Sequence, residues 1–222
     1  MEIINNNFTW LEQKILNYDS EYFLIDIPGQ IELSTISNSP LKKLIEKLTD
    51  KNTFDMRLTC VHLTDATYCL DSSRYISAIM TSLSSMIQLE LPHINILSKL
   101  DLAKNLNKTE EDDEESDQIF SLSFYTGVVD LERLLENDEF VENLPAKQKR
   151  MLRKIASVVE DYSLVRFIPM SVQDYDTISQ VVQACDVSNG YFSVEGGAMT
   201  SAMQLPKGFD DGYLRDIENK FW

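Results

Sequence analysis

Three apolar runs that each lead into an aspartate constrain this chain more than any other feature. They are residues 22–27 (Tyr-Phe-Leu-Ile-Asp-Ile, with Asp26), residues 58–65 ending in Asp65, and residues 93–98 continuing into Lys99-Leu100-Asp101. Runs this short, rich in β-branched and aromatic residues and bounded by turn residues, predict buried strands of a parallel sheet. Between them lie helical periodicities. Phe8, Leu11 and Ile15 predict a helix over 7–16, and Ser39-Pro40 reads as N-cap and first turn of a helix carrying Leu41, Leu44, Ile45 and Leu48. Asp71-Ser72-Ser73 caps the longest helix, with Ile76, Ile79, Met80, Leu83, Met86, Ile87 and Leu91 on one stripe and Pro92 as its stop. Strands alternating with such helices give an α/β, doubly wound, mostly parallel sheet whose ligand chemistry sits at the carboxyl ends of the strands. Asp26, Asp65 and Asp101 are expected on that rim, Asp65 as a cap.

The second half repeats the pattern. Short helical pieces around Leu131, Leu134 and Leu135 are expected to cover the rim. A helix over 147–162 points Met151, Leu152, Ile155, Val158, Val159 and Tyr162 inward, and a strand over 164–169 follows. A final helix buries Ile178, Val181, Val182 and Cys185, and Asn189-Gly190 supplies a left-handed stop. In the tail, Tyr213, Leu214, Ile217 and Phe221 fit one small amphipathic helix, folded back or offered to a partner. Glu110 to Glu115 is an unbroken acidic run, so residues 108–118 are expected to be a disordered surface insertion.

Composition narrows the function. The 222 residues carry a net charge of −16, which argues against direct binding to nucleic acid or an anionic membrane, since both require clustered cations. Cys60, Cys69 and Cys185 lack pair spacing and read as reduced thiols of a cytosolic or nuclear protein. His62 and His93 are far apart in sequence, each in a strand-like segment, and read as satisfied structural histidines. Neither a secretory signal nor a bilayer-spanning segment is visible.

The candidate chemistry lies at the strand ends. Asp26-Ile27-Pro28-Gly29-Gln30 is the arrangement a nucleotide hydrolase uses: the acid holds a magnesium shell through water, the Gly29 amide meets a terminal phosphate, and Gln30 orients water. At the end of the 93–98 strand, Ser98 shapes the loop. Asp101 can accept both N1–H and the exocyclic amine of guanine, while the stem of Lys99 lies along the base plane. Adenine would oppose acceptor to acceptor there. Met170-Ser171, after the last strand, is placed where a third loop would touch the base through backbone groups.

Together, residues 26–33 and 91–101 resemble the GPN-loop GTPases, a dimeric branch of the P-loop NTPases. Further stretches at 57–63, 161–165, 167–169 and 188–191 extend the resemblance over nearly the whole chain. It implies GTP hydrolysis with Mg2+, and a role in assembling RNA polymerase II and importing it into the nucleus. It also implies a dimer with an identical or paralogous subunit, polymerase II subunits or assembly factors as partners, and a cytoplasmic location with shuttling to the nucleus. One departure stands out. The family opens with a Gly-x-x-x-x-Gly-Lys-Ser/Thr loop and a Gly-Pro-Asn segment, whereas the first glycine here is Gly29 and no Gly-Lys-Ser or Gly-Lys-Thr occurs. The expectation is therefore an N-terminally truncated P-loop NTPase fold: residues 1–190 form a partial GTPase domain and 191–222 a tail, the sequence having begun at an internal methionine or, as the alternative, belonging to a genuinely short paralogue. Loss of a central neighbour would leave the 22–27 strand with unpaired ladder groups. The alternative function is a non-catalytic scaffold that keeps the fold and partner surfaces.

Overall fold

The computed structural model describes residues 2–18, 22–30, 39–51, 54–102, 120–136, 139–162, 165–191 and 211–222. They divide into two compact units, Met1–Leu58 with Ser84–Leu91, and Thr59–Leu83 with Pro92–Trp222. The acidic run at 108–118 lies outside the described residues.

In the first unit, α1 (Glu2–Asn6) and α2 (Phe8–Leu16) precede α3 (Pro40–Thr49). The N-cap of α3 is the expected one: the Ser39 hydroxyl accepts from the Lys42 amide at 3.2 Å, and Pro40 occupies the first turn where its missing N–H is harmless. Leu41, Leu44 and Leu48 are buried as the spacing predicts. The helix ties back to α1 through Asn5, whose side-chain amide donates to the Pro40 carbonyl at 2.7 Å, and through Lys47, which donates to the Asn5 carbonyl at 2.9 Å. Phe8 packs edge-on against Phe54, with ring centroids 6.1 Å apart.

The strand expected over 22–27 is not formed. These residues adopt no regular secondary structure, and Leu24 is 92% exposed. The sequence pattern is that of a strand, but a strand exists only when a neighbour completes its ladder, and no described strand pairs with this one.

The second unit holds the sheet. Its strands are β1 (Cys60–Asp65), β2 (His93–Ser98) and β3 (Phe167–Pro169), parallel throughout and ordered β1-β2-β3. Asp65 pairs with Ser98, and Leu97 with Pro169, so the three carboxyl ends are level. A 3-10 turn (Ala66–Leu70) follows β1, and α4 (Ser72–Leu89) starts with Asp71 accepting from the Arg74 amide at 3.0 Å. Its buried face is rotated from the expected one. Tyr75, Ile76, Ile79, Ser82 and Leu83 are buried, while Met80 is at the edge of exposure and Ile87 is 63% exposed. Hydropathy misjudges Ser82 because its hydroxyl is satisfied by Asn95 Oδ1 on β2, which makes a buried serine acceptable.

The remaining elements are α5 (Leu122–Gly127), α6 (Leu131–Glu136), α7 (Glu139–Glu142), α8 (Ala146–Tyr162), α9 (Tyr175–Asn189) and α10 (Asp211–Phe221). Helices cover both sheet faces. On one, Ile94, Ile96 and Ile168 pack with Val181, Ala184 and Cys185 of α9. On the other, Tyr75 meets Phe167 and Tyr125, and its hydroxyl donates to the Tyr125 carbonyl at 2.6 Å. Leu131, Leu134 and Leu135 are buried; α6 packs on α8, and α5 on β3 and α10. On α8 the inner positions are Leu152, Ile155, Ala156 and Val159, whereas Met151 is 63% and Val158 48% exposed. Gly190 ends α9 at φ 65°, the left-handed stop read from Asn189-Gly190.

Two links explain stretches that otherwise look unrelated. The Thr59 hydroxyl, just before β1, donates to Asn189 Oδ1 at 2.5 Å and lies 2.8 Å from the Ser188 hydroxyl, pinning the end of α9 to the start of β1. The tail helix α10 folds back on its own unit. Leu214 and Ile217 are buried, Glu218 accepts from the Leu122 amide at 2.8 Å, and the Trp222 indole donates to the Phe120 carbonyl at 3.1 Å.

The histidines are not apart in space. His62 and His93 sit on adjacent strands with ring centroids 5.8 Å apart. Among the described residues, His62 Nδ1 and both nitrogens of His93 have no hydrogen-bond partner, so the expectation of satisfied histidines fails for three ring atoms. Burial, with the neighbouring His62 adding to it, lowers the His93 pKa to about 4. The folded state therefore resists a proton that the unfolded state takes up near pH 6.5, and stability falls as pH drops from that value toward 4. Thermal unfolding at pH 7.5 and pH 5 is expected to show this loss, about 1 kcal/mol after allowing for partial exposure, and His93→Gln is expected to shrink it. In the tail, Ile217→Ala should cost about 2–4 kcal/mol by urea titration, against less than about 0.5 for the exposed neighbour Asp216→Ala.

Candidate functional site

The level carboxyl ends of β1, β2 and β3 make one rim, and the sequence-predicted Ser98, Lys99, Asp101 and Ser171 all belong to it or to the loops it launches. The Ser98 hydroxyl donates to the Thr64 carbonyl at 3.0 Å, locking the ends of β2 and β1 together. Lys99 follows at φ 61°, a left-handed conformation that a residue with a Cβ adopts at a cost of order 1 kcal/mol. That turn projects the Lys99 ammonium to Asp65 Oδ2 at 2.7 Å.

Asp65 thus does more than cap. Its Oδ1 accepts from the Thr67 amide at 3.0 Å and the Thr67 hydroxyl at 2.8 Å, starting the 3-10 turn, while Oδ2 takes the lysine. Burial alone would raise this carboxyl, but the Lys99 hydrogen bond and the two Thr67 donors outweigh it and hold the pKa below the usual carboxylate value. The same hydrogen bond raises the Lys99 pKa. Sequence reasoning missed this pair because the partners are 34 residues apart; parallel strand register brings them together.

Leu100 is fully buried and anchors the loop. Asp101 is half-buried in a helical turn that begins at residue 100, and its carboxylate makes no hydrogen bond or ion pair with a described residue.

Ser171 departs from expectation. Its amide donates to Thr177 Oγ1 at 3.1 Å, and its carbonyl accepts from the Asp174 amide at 3.1 Å with Thr177 Oγ1 3.0 Å away. The Met170 amide is likewise spent on the Leu97 carbonyl at 2.8 Å. Three backbone groups of this loop, the Met170 and Ser171 amides and the Ser171 carbonyl, are therefore already engaged inside the protein. What remains is Ser171 Oγ, which is buried and has no partner among the described residues. The loop is braced from the tail: Asp174 Oδ2 meets the Lys220 ammonium of α10 at 2.7 Å. Nothing in the sequence pattern signals Thr177 or Lys220 as members of this region.

Asp26, Gly29 and Gln30 belong to the first unit and are described within it. All three are exposed on a stretch without regular structure. Among the described residues a Cβ at Gly29 would meet nothing within 4 Å, so packing against them does not demand glycine there. Among the described residues, no three His, Cys, Asp or Glu side chains form a metal-binding group. Mg2+ keeps several waters and takes one or two carboxylates with substrate phosphates, so a lone exposed Asp26 is compatible with a single water-mediated contact. Gly29→Ala is expected to leave the urea midpoint within the equivalent of about 0.5 kcal/mol of the parent; a larger loss would assign the glycine to packing.

Comparison with known proteins follows the same lines. Residues 1–191 match a family model described as "Conserved hypothetical ATP binding protein". The chain is 42% identical over 194 residues to "GPN-loop GTPase 2" of Danio rerio, covering 86% of this chain and 57% of that protein. It is 36% identical over 214 residues to "GPN-loop GTPase 2" of Xenopus tropicalis, covering 95% and 65%. Similarity to "GPN-loop GTPase QQT1" of Arabidopsis thaliana is 39% over 195 residues, covering 86% and 60%. The chain thus spans less than two thirds of the length of these relatives. A parallel sheet with helices on both faces, the family match over residues 1–191 and relatives at 36–42% identity lead to one assignment: the chain belongs to the GPN-loop GTPase family, with an α/β fold of the P-loop NTPase type.

Proposed function

We propose that this chain carries the guanine-recognition part of a GTP-binding and GTP-hydrolysing protein. The observation that carries this reading is the rim at β2: Lys99 is turned by a left-handed backbone and tethered to Asp65, while the nearby half-buried Asp101 carboxylate has no partner among the described residues. An ionised carboxylate only accepts. Guanine offers it two donors, N1–H and the exocyclic amine, whereas adenine presents an acceptor at N1. The family description speaks of ATP and the relatives' names of GTP; the chemistry of Asp101 favours GTP. Ser98 fixes the loop, and Ser171 Oγ is the remaining polar group of the neighbouring loop. By the family resemblance, Asp26 is assigned to Mg2+ through water, Gly29 to the terminal phosphate and Gln30 to the attacking water.

Residues 1–190 are taken as the nucleotide-binding part and 191–222 as a tail, a division supported by the family match ending at residue 191. The resemblance supports pairing with an identical or paralogous subunit, and a role with RNA polymerase II subunits or assembly factors between cytoplasm and nucleus. Co-purification of polymerase subunits with the tagged chain tests that role. A second reading is a non-catalytic scaffold that keeps the fold and partner surfaces; among the described residues, Asp26, Gly29 and Gln30 lie on a stretch without regular structure.

Titration of the chain with fluorescent GTP and ATP in Mg2+ separates these readings. GTP is expected to bind more tightly than ATP, and Asp101→Asn to weaken GTP by about 10–100-fold, the range for losing hydrogen bonds to a charged acceptor. Equal affinity for both nucleotides, or an unaffected Asp101→Asn variant, would defeat guanine recognition. A folded chain that binds neither nucleotide would leave the scaffold reading. Lys99→Met is expected to weaken GTP binding and to raise the Asp65 pKa, which a carboxyl NMR titration would read directly.

A further inference from the structure

The outer face of α8 has no part in the nucleotide reading. Five of the chain's 20 Lys and Arg, at 147, 149, 150, 153 and 154, fall within its first turns, in a protein whose net charge is −16. Such a concentration runs against the field of the rest of the molecule: each cation repels its neighbours, and nothing about helix formation requires them there.

Two further facts distinguish this face from an ordinary solvated one. Lys149 is tethered, donating to the Glu142 carbonyl at 2.5 Å, but Arg150, Arg153 and Lys154 are exposed and make no hydrogen bond or ion pair with a described residue. Acid is abundant in the chain, yet none of the described carboxylates answers these three. Between side chains of α8 alone, the cations border an open, shallow groove together with Ala146, Ser157 and Val158. Val158 belongs there because the buried stripe of α8 runs through Ala156 and Val159 instead. Spacings of three and four residues bring Ala146, Lys149, Arg150, Arg153, Lys154 and Val158 onto one side of the helix, so guanidinium and ammonium groups stand above aliphatic stems and apolar ends.

We propose that this face of α8 is a docking surface for an acidic segment of a partner protein, in which aspartates or glutamates flank an apolar side chain. The carboxylates pair with Arg150, Arg153 and Lys154, with the planar arginines able to form two parallel hydrogen bonds each, and the apolar side chain enters the groove beside Val158. A polypeptide fits better than a nucleic acid or an anionic bilayer. Those polyanions extend well beyond one helix face and would meet the acidic remainder of the surface, whereas a short segment needs only the patch. The groove with its apolar ends also rewards a side chain that a phosphate backbone lacks. This inference is independent of guanine recognition, since α8 supplies none of the residues assigned to nucleotide.

The test uses the whole chain and a short fluorescein-labelled peptide of aspartate and glutamate with a central leucine, read by anisotropy in about 50 mM salt. Binding is expected, weakened at least tenfold by Arg150→Glu with Arg153→Glu, and similarly by raising salt tenfold. Replacing the leucine by serine should weaken it less, and an amide version of the peptide with asparagine and glutamine should not bind. Because both arginines are exposed, circular dichroism of the double variant is expected to match the parent; the neutralising pair Arg150→Gln with Arg153→Gln gives an intermediate affinity should charge reversal disturb the helix. Absence of peptide binding, or binding indifferent to these substitutions, overturns the proposal. Tighter binding of a single-stranded oligonucleotide or of phosphatidylserine vesicles through the same arginines overturns it too, in favour of that other class of polyanion.

Discussion

Backbone pairing between parallel strands governs what this molecule can be. A strand commits its N–H and C=O groups to neighbours, and burial without those neighbours is expensive. The ladder β1-β2-β3 meets that condition, and its register brings Asp65, Ser98 and the end of β3 level with one another. The functional rim is a consequence of this register. Where no described neighbour is present, as for residues 22–27, a sequence of equal strand character remains without regular structure.

Polar contacts at the ends of the elements then set the positions of the loops. Thr59 joins the start of β1 to the end of α9, Ser98 joins β2 to β1, and Lys99 reaches Asp65 across the same two strands. Lys220, far along the chain, braces the loop that holds Ser171. An exposed ion pair of the Lys99–Asp65 kind adds little to stability, and its value lies in fixing a side chain that a left-handed turn has already directed. The tail helix α10 has a comparable role: besides burying Leu214 and Ile217, it holds the amide of Leu122 and the loop after β3 in place.

Most elements were legible from residue order. The caps at Ser39 and Asp71, the Gly190 stop, strand β2 and the amphipathic tail helix follow from local chemistry that acts within a few residues. The faces of helices were less legible. Hydropathy ranks Met80, Ile87, Met151 and Val158 as interior, yet these are exposed, while Ser82, Ser85 and Ala156 are buried. Helical spacing defines a stripe only to within a residue or so, and the partner surface selects which edge of it is covered. A serine is admitted when a group such as Asn95 faces it.

By itself, then, the sequence determined the alternation of strands and helices, the parallel sheet, and the Ser-Lys-Leu-Asp order at the carboxyl end of β2. These depend on periodicity, turn chemistry and hydrogen-bonding capacity, all of which are local. The tertiary structure alone decided that residues 22–27 form no strand among the described residues, that His62 faces His93, that Lys99 is held by Asp65, and that the backbone of Ser171 is already occupied. Each of these depends on which distant groups meet, and strand register and packing settle that where residue order cannot.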